Sequence, residues 1–543
     1  MSQRGSVAAG VAGGAAVIAV VTVLARGMGL LRQFTFTRAV GVTCLNSVYT
    51  TANTVPNIVF EVVAGGALAA AVVPAVVATL ERGDRESTTA TVSALLTWTM
   101  LVLLPVTGLG YLLTGPIVHA LLGSGGAHCA DQIDLMRGTA ELMLRVFLVQ
   151  VPLYGLCVVL AGVLNAHRRF LAPALAPLVS SVVVILAYAT YAVLARGHRG
   201  SLVALTGTER SVLAWGTTAG VLAMLLTQLP GSARLRLGLR PALRFPDGVA
   251  GRVGGLALAA VAVVAAQQGS TAVVVRLANS RGTEGALGVW TVAWTVFLLP
   301  WAVLAVPIAT SAFPRLAAHH AAGETDAFAA LTSGVTRTVL LVCAVAGGAL
   351  AGSAPAVARV VALGVPGPPA THTLSLAITA FVPGLLGYAL VAHLTRALYA
   401  ALGARAATLG AVLGWVVVVL VDVLLVTRVR ADQVVTALGA GNSVGMTVAG
   451  VALLVAARRR LGSGATSGVL RAAGVAVAAG VIGFVAARAV LLVTGAGESV
   501  LASLVLAVLV GALGLAVGSA VAWTLARSDV DRALGAVRRS VAR

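Results

Sequence analysis

The residues with the clearest chemical potential are two arginines, Arg26 and Arg32, in the stretch Arg-Gly-Met-Gly-Leu-Leu-Arg-Gln at 26–33. A guanidinium offers a planar fork of donors that fits phosphate oxygens, so two of them suit a diphosphate head group. On a straight helix their spacing puts them on different faces, but Gly27 and Gly29 can bend the helix and turn both to one side. The alternative is structural, with the arginines paired to Glu61 or to helix-end carbonyls. Glu61 follows Pro56-Asn57 on the next apolar stretch, and Arg26 or Arg32 is its expected partner. Asp422 lies in Val-Val-Val-Val-Leu-Val-Asp-Val-Leu-Leu-Val, the acid set deepest in apolar sequence. It can take a proton or bind a sodium ion, or it can pair with Arg276 to hold two helices together. Glu141 and Arg145 are one helical turn apart and read as a pair that neutralises itself. Arg137, Arg252, Arg471 and Arg488 fall near helix ends, from which their heads can reach the membrane surface.

These charges are conspicuous because of what surrounds them. Of 543 residues, 59% are hydrophobic and 10% charged, whereas soluble domains carry about 25% charged residues. A soluble core cannot absorb that much apolar sequence, and the composition also excludes a disordered, collagenous or secreted disulfide-rich chain. The solvent is lipid. The net charge of +20, from 37 basic and 17 acidic residues, is therefore read as a topology signal and not as a nucleic-acid footprint. Every basic residue is arginine.

Apolar runs punctuated by Gly, Pro and charge predict helices near 8–38, 47–80, 89–123, 138–165, 169–195 and 209–230. A second set is predicted near 249–279, 285–318, 327–353, 372–399, 403–427 and 433–457, with a final pair near 468–493 and 499–526. The expected fold is an all-α polytopic membrane protein of about fourteen transmembrane helices, roughly 20 residues each. Two pseudo-symmetric six-helix bundles occupy 1–230 and 249–457, joined by a basic linker at 231–248. Helices 13 and 14 lie within 458–526, and a basic tail occupies 527–543. Arginines concentrate in the loops that an even helix number puts on the same side as both termini, so both termini are expected in the cytoplasm. The apolar stretch at 6–25 reads as part of a retained first helix, since the run continues past Arg26 to Phe36, and not as a cleaved signal. Pro74 before Gly83-Asp84 is echoed by Pro314 before Gly323-Glu324, a short sign of internal duplication. In the tail, Leu534 and Val537 share a face, which suggests a short amphipathic helix on anionic lipid or else a solvated terminus. Cys44 and Cys129 fall in or beside loops placed outside the cytoplasm, so a disulfide between them is permitted by compartment. Cys157 and Cys343 are expected to be buried as small apolar residues.

The stretch 26–83 resembles the lipid II flippase family (MurJ/MviN), within the multidrug/oligosaccharidyl-lipid/polysaccharide exporter superfamily. The resemblance rests on Arg26, Gly29 and Arg32, then Arg38 and Gly41, then Val55-Pro56-Asn57, Gly66-Ala67 and Val73-Pro74. Leu299-Pro300, Ala305-Val306, Ala309-Thr310 and Phe313-Pro314 resemble the family's eighth helix. The resemblance implies a cationic cavity and alternating access, moving an undecaprenyl-diphosphate-linked peptidoglycan precursor from the inner to the outer leaflet. Arg26 and Arg32 become the cavity arginines, with Asn57, Glu61 and Arg276 completing the substrate-contact set. Asp422 takes the place expected of the family's eleventh-helix ion ligand, although Val418, one turn earlier, has no side-chain oxygen. Phe60 and Glu61 stand where many members have an arginine pair, Thr295 where they have another arginine, and Gln33 and Ser47 where they have acids. Such departures fit an actinobacterial-type branch in which Arg276 or Arg145 supplies charge, a paralogue carrying another lipid-linked glycan, or a non-transporting scaffold.

A membrane enzyme acting on polyprenyl-linked sugars would need acids or histidines converging on a metal or a hydroxyl. The histidines, including His119, His128, His167, His319 and His320, instead fall mainly at loops and helix ends. No enzyme activity, metal or organic cofactor is expected. A sodium ion, a proton or the membrane potential is the expected driving force. The expected partners are the lipid-linked diphosphate, the bilayer and cell-wall synthesis proteins, with no nucleic acid, and the chain is expected to be a monomer in the cell membrane.

Overall fold

The computed structural model describes residues 21, 24–25, 27–63, 69–80, 83–125, 129–244, 249–362, 370–401 and 403–541. Every long regular element among them is helical, as the apolar runs require. The chain divides into two compact units, Met1–Gln268 and Gly269–Arg543.

Unit 1 contains α1 (27–40), α2 (Cys44–Phe60), α3 (Ala69–Leu80), α4 (Arg85–Leu112), α5 (Thr114–Leu122), α6 (Ile133–Leu148), α7 (Gln150–Ala166), α8 (Leu171–Leu194) and α9 (Gly207–Ala233). α10 (Val249–Arg281) crosses the division. Unit 2 continues with α11 (Ala286–Pro300), α12 (Val306–Ala321), α13 (Thr325–Ala362), α14 (Thr371–Phe381), α15 (Gly384–Ala400), α16 (Ala404–Val426), α17 (Val434–Leu461), α18 (Val469–Thr494) and α19 (Val500–Val541).

Local chemistry fixes several starts. Thr43 accepts from the Asn46 amide (3.4 Å) to cap α2, and Asp84 accepts from the Ser87 amide (2.9 Å) to cap α4. Thr206 and Glu209 form a reciprocal capping box on α9.

Five of the expected continuous spans are interrupted. α2 ends in a wide turn at 61–63, α4 and α5 part at Leu113, α6 and α7 at Val149, and a π-helical turn at Trp301–Ala305 separates α11 from α12. α14 and α15 meet at a 44° bend over Val382-Pro383. Pro116, Pro152, Pro300 and Pro383 lie at or just beyond four of these breaks, and a proline removes a backbone donor and crowds the preceding turn. Among the described residues, eleven helices are long and apolar enough to cross a membrane, or twelve with the bent pair taken as one span. The fourteen expected from sequence included 8–38 and 47–80, both interrupted by residues outside this description. The boundary expected at 526/527 falls on Ala526, whose non-helical backbone (φ −143°, ψ 47°) kinks α19.

Unit 1 is built around Phe36, Tyr49, Phe147, Tyr188 and Tyr191. The hydroxyls that these rings carry inside are matched: Tyr49 bonds Tyr188 (2.8 Å) and Thr217 (2.6 Å), and the Gly200 amide donates to Tyr191 (3.1 Å). Gly200 has φ +77°, and a Cβ there would strike the Val40 carbonyl, so only glycine closes this loop. Unit 2 is organised on α13, which packs against α14, α18 and α19. Gly348 lies so close to the Gly480 backbone that a side chain would not fit, the small-residue packing that membrane helices use in place of a hydrophobic driving force.

Cys44, the first residue of α2, and Cys129, just before α6, form a disulfide with Cα atoms 6.0 Å apart. Cys157 and Cys343 are free and buried. The bridge closes a separation of 85 residues, long enough for a stabilisation of roughly 4 kcal/mol through the unfolded chain. Reductant should therefore lower the thermal unfolding midpoint of the wild type and leave that of a Cys44→Ser/Cys129→Ser variant, already lowered, where it is. A wild type insensitive to reductant would contradict this.

Candidate functional site

In unit 1 three elements converge on Tyr154 of α7. Its hydroxyl donates to Asn57 Oδ1 of α2 at 3.5 Å, and its ring lies 4.4 Å from that of Phe60, three residues further along α2. Arg32 on α1 and Glu61 at the end of α2 lie in the neighbourhood of the Tyr154 hydroxyl. The helix register explains this grouping: Asn57 and Glu61 are four residues apart and share the face of α2 turned to α7.

Arg32 and Glu61 are both exposed, and no ion pair joins them. That corrects the expectation that Arg32 neutralises Glu61: each head group lies at the surface of the unit, where it is not forced to find an internal partner. Arg26, the other expected cavity arginine and the other expected partner of Glu61, lies outside the described residues. Arg32 makes no hydrogen bond or ion pair among the described residues, so its guanidinium is available to an anionic ligand. Glu141 and Arg145 do pair, at 3.8 Å on α6, as their spacing predicts. Arg137 is anchored at a helix end by Gly123 O (2.9 Å) and Asp134 (3.5 Å).

In unit 2 the two expected residues do not meet. Asp422 is fully buried, and neither carboxylate oxygen has a hydrogen-bond partner. Arg276 is exposed on α10, so the alternative in which these two form a structural ion pair is excluded. The place of Asp422 follows from a ladder of close approaches. On α16, Gly410, Gly414, Val418 and Asp422 recur every fourth residue, and on α17 so do Gly441, Gly445, Ala449 and Leu453. The ladders meet antiparallel: Gly410 faces Leu453, Gly414 faces Ala449, Val418 faces Gly445, and Asp422 occupies the space that a side chain at Gly441 would need. A seam of small residues thus carries one carboxyl group into the helix contact.

Tyr154 was not singled out by its sequence. A signal existed, because the chain has only 7 tyrosines and 543 residues, and a tyrosine inside an apolar helix must direct its hydroxyl to a polar partner. Which partner is a matter of tertiary structure. Of Phe60 and Glu61, which stand where family resemblance leads one to expect arginines, Phe60 is accounted for locally: its ring packs on Tyr154. Thr295, at another such position, bonds its own helix through Thr291 O (2.8 Å).

Residues 36–523 match the family described as lipid II flippase MurJ. The chain belongs to this family. It is 29% identical over 332 residues to the lipid II flippase MurJ of Burkholderia cenocepacia, a match covering 60% of this chain and 60% of that relative. The alignment thus spans about three-fifths of the curated relative's length. Among solved structures, a lipid II flippase MurJ in an inward closed conformation superposes with a TM-score of 0.71 at 16% identity, covering 94% of this chain and 99% of the other. An inward-facing multidrug resistance MATE family transporter of the MOP superfamily gives 0.65 at 15% identity, covering 80% and 94%. At these identities the likeness is one of fold. It agrees with the all-α transporter architecture, and the MurJ family assignment rests on the sequence match.

Proposed function

We propose that this chain is a flippase that moves lipid II, an undecaprenyl-diphosphate-linked peptidoglycan precursor, from the inner to the outer leaflet of the cell membrane by alternating access. Membership of the MurJ family over 36–523 is the observation that carries this reading. The site around Tyr154 supports it chemically: Arg32 offers a planar donor fork to a diphosphate, and Asn57 and Tyr154 offer neutral polar groups beside it. Glu61 at the same site disfavours a second negative charge close by, so the diphosphate sits toward Arg32, with Arg26 as a further candidate cation; Arg276, the other arginine expected from sequence to supply charge, belongs to unit 2. Asp422 is the candidate coupling group, binding a proton or a sodium ion; its burial without a partner supports a role beyond packing. Both termini are assigned to the cytoplasm on the arginine bias of the loops.

The test is reconstitution of the full chain in vesicles loaded with labelled lipid II on one leaflet, with an impermeant reagent reporting arrival on the other. Protein-dependent arrival is expected. Arrival of a different lipid-linked glycan but not lipid II would make the chain a paralogue with another cargo. Arrival of neither would leave a membrane scaffold.

A further inference from the structure

Residues 234–244 read Arg-Leu-Arg-Leu-Gly-Leu-Arg-Pro-Ala-Leu-Arg, part of the basic linker expected at 231–248. In the structure it turns off the end of α9 at Arg234–Arg236 and continues as a non-helical strap laid along α4 within unit 1. Arg85 donates to the carbonyls of Leu235 (3.5 Å) and Arg236 (3.2 Å) at the start of α4. The Arg240 amide donates to Ser93 Oγ (3.2 Å), the Ala242 amide to Thr97 Oγ1 (3.1 Å), and Trp98 Nε1 to the Leu243 carbonyl (2.9 Å). Leu235 and Leu237 pack against the cluster of Val72, Val76, Val92 and Leu95.

This docking decides what the strap presents outward. Arg234, Arg236, Arg240 and Arg244 are exposed. Leu239 and Leu243 are 44% and 61% exposed, although they alternate with residues that are held. The strap also ends at a definite depth. α4 is rich in Ser and Thr up to Thr99, and its unbroken apolar run begins at Met100, so Trp98 marks the level at which an indole prefers to sit, between water and hydrocarbon. The acids nearest the strap along α4, Asp84 and Glu86, are at the opposite, Arg85 end.

We infer that the strap is a binding surface for anionic phospholipid headgroups, with Arg240 and Arg244 on the phosphates and Leu239 and Leu243 entering the boundary of the acyl chains. A basic group and an apolar group side by side are the two signals that together hold a segment at a lipid surface. Hydrogen bonds to Ser93, Thr97 and Trp98 fix both at headgroup level, so the ordering that a free linker would undergo on binding has already occurred. This inference rests on the chain's place in the membrane and is independent of its cargo.

The experiment is native mass spectrometry of the full chain released from membranes or nanodiscs containing phosphatidylglycerol and phosphatidylcholine, counting lipids retained. Arg240→Gln/Arg244→Gln should weaken phosphatidylglycerol retention by roughly fivefold for each arginine removed and leave phosphatidylcholine unchanged. Ser93→Ala/Thr97→Ala, which frees the strap without altering its charge, should weaken phosphatidylglycerol retention as well. An unchanged helical circular dichroism spectrum shows that the variants have folded. Wild-type phosphatidylglycerol retention by the arginine variant overturns the inference. Wild-type retention by Ser93→Ala/Thr97→Ala overturns the role of docking. Selective retention of an added polyprenyl diphosphate over phosphatidylglycerol would assign the strap to a different lipid and overturn the proposal.

Discussion

Arg32→Ala should nearly abolish lipid II translocation while leaving the unfolding temperature of the protein unchanged. The stability half follows from what Arg32 touches: it is exposed and makes no hydrogen bond or ion pair among the described residues, so its removal opens no cavity and orphans no partner. The activity half follows from chemistry. A hydrogen bond to a charged group contributes about 1.5–3 kcal/mol, equivalent to a tenfold to hundredfold loss, and a bidentate guanidinium on a diphosphate lies at the upper end of that range. Arg32→Lys keeps the charge and loses the fork, so it should recover only part of the rate. The check is the translocation rate in vesicles beside a thermal melt of the same preparation. Full activity in Arg32→Ala would remove this arginine from the cargo path.

Asp422→Asn should uncouple transport from its driving ion without loosening unit 2. The amide has nearly the volume of the carboxyl group, so the contact with Gly441 and the glycine ladder of α16 and α17 persist. What disappears is the capacity to gain and lose a proton, or to hold a sodium ion with a formal charge. A carboxylate with both oxygens buried and unpartnered is costly to keep in a membrane protein, and Asn at this position has no comparable ionised form. Imposed sodium and proton gradients across vesicles are the measurement. The wild type should respond to one of them, and Asp422→Asn to neither, with the stimulated rate falling about tenfold or more, as for the loss of a charged contact. A variant that keeps the wild-type gradient response would place coupling elsewhere.

The fold was legible where a physical rule acts locally. Runs of apolar residues near 20 in length announce spans, and the helices predicted at 169–195 and 209–230 form at Leu171–Leu194 and Gly207–Ala233. The kink at Ala526 falls where apolar sequence yields to arginines. The i,i+4 pair of Glu141 and Arg145 was equally legible, because one helix contains both partners. Less was visible where the outcome depends on residues far apart in the chain. Compartment permitted Cys44 and Cys129 to be joined, but only the fold brings the start of α2 to the start of α6. The glycines of α16 and α17 repeat every fourth residue in plain view, yet only packing shows that Asp422 answers Gly441 and not Arg276. The strap at 234–244 was invisible as structure because its partners are the hydroxyls of Ser93 and Thr97 on a helix about 145 residues away in sequence. At the candidate site, Arg32 and Glu61 were found by residue type and depth and Asn57 by family resemblance, whereas Tyr154, which bonds Asn57, was not found.

The proposed function requires that this chain carries lipid II and that Arg32 meets its diphosphate. The most direct measurement is the amount of lipid II in the outer leaflet, read with an external enzyme or binding probe, in cells depleted of this protein and complemented with wild type or Arg32→Ala. Outer-leaflet lipid II is expected to fall on depletion, to return with the wild type and to stay low with Arg32→Ala at equal protein abundance. Outer-leaflet lipid II that does not change on depletion, or that Arg32→Ala restores in full, would contradict it.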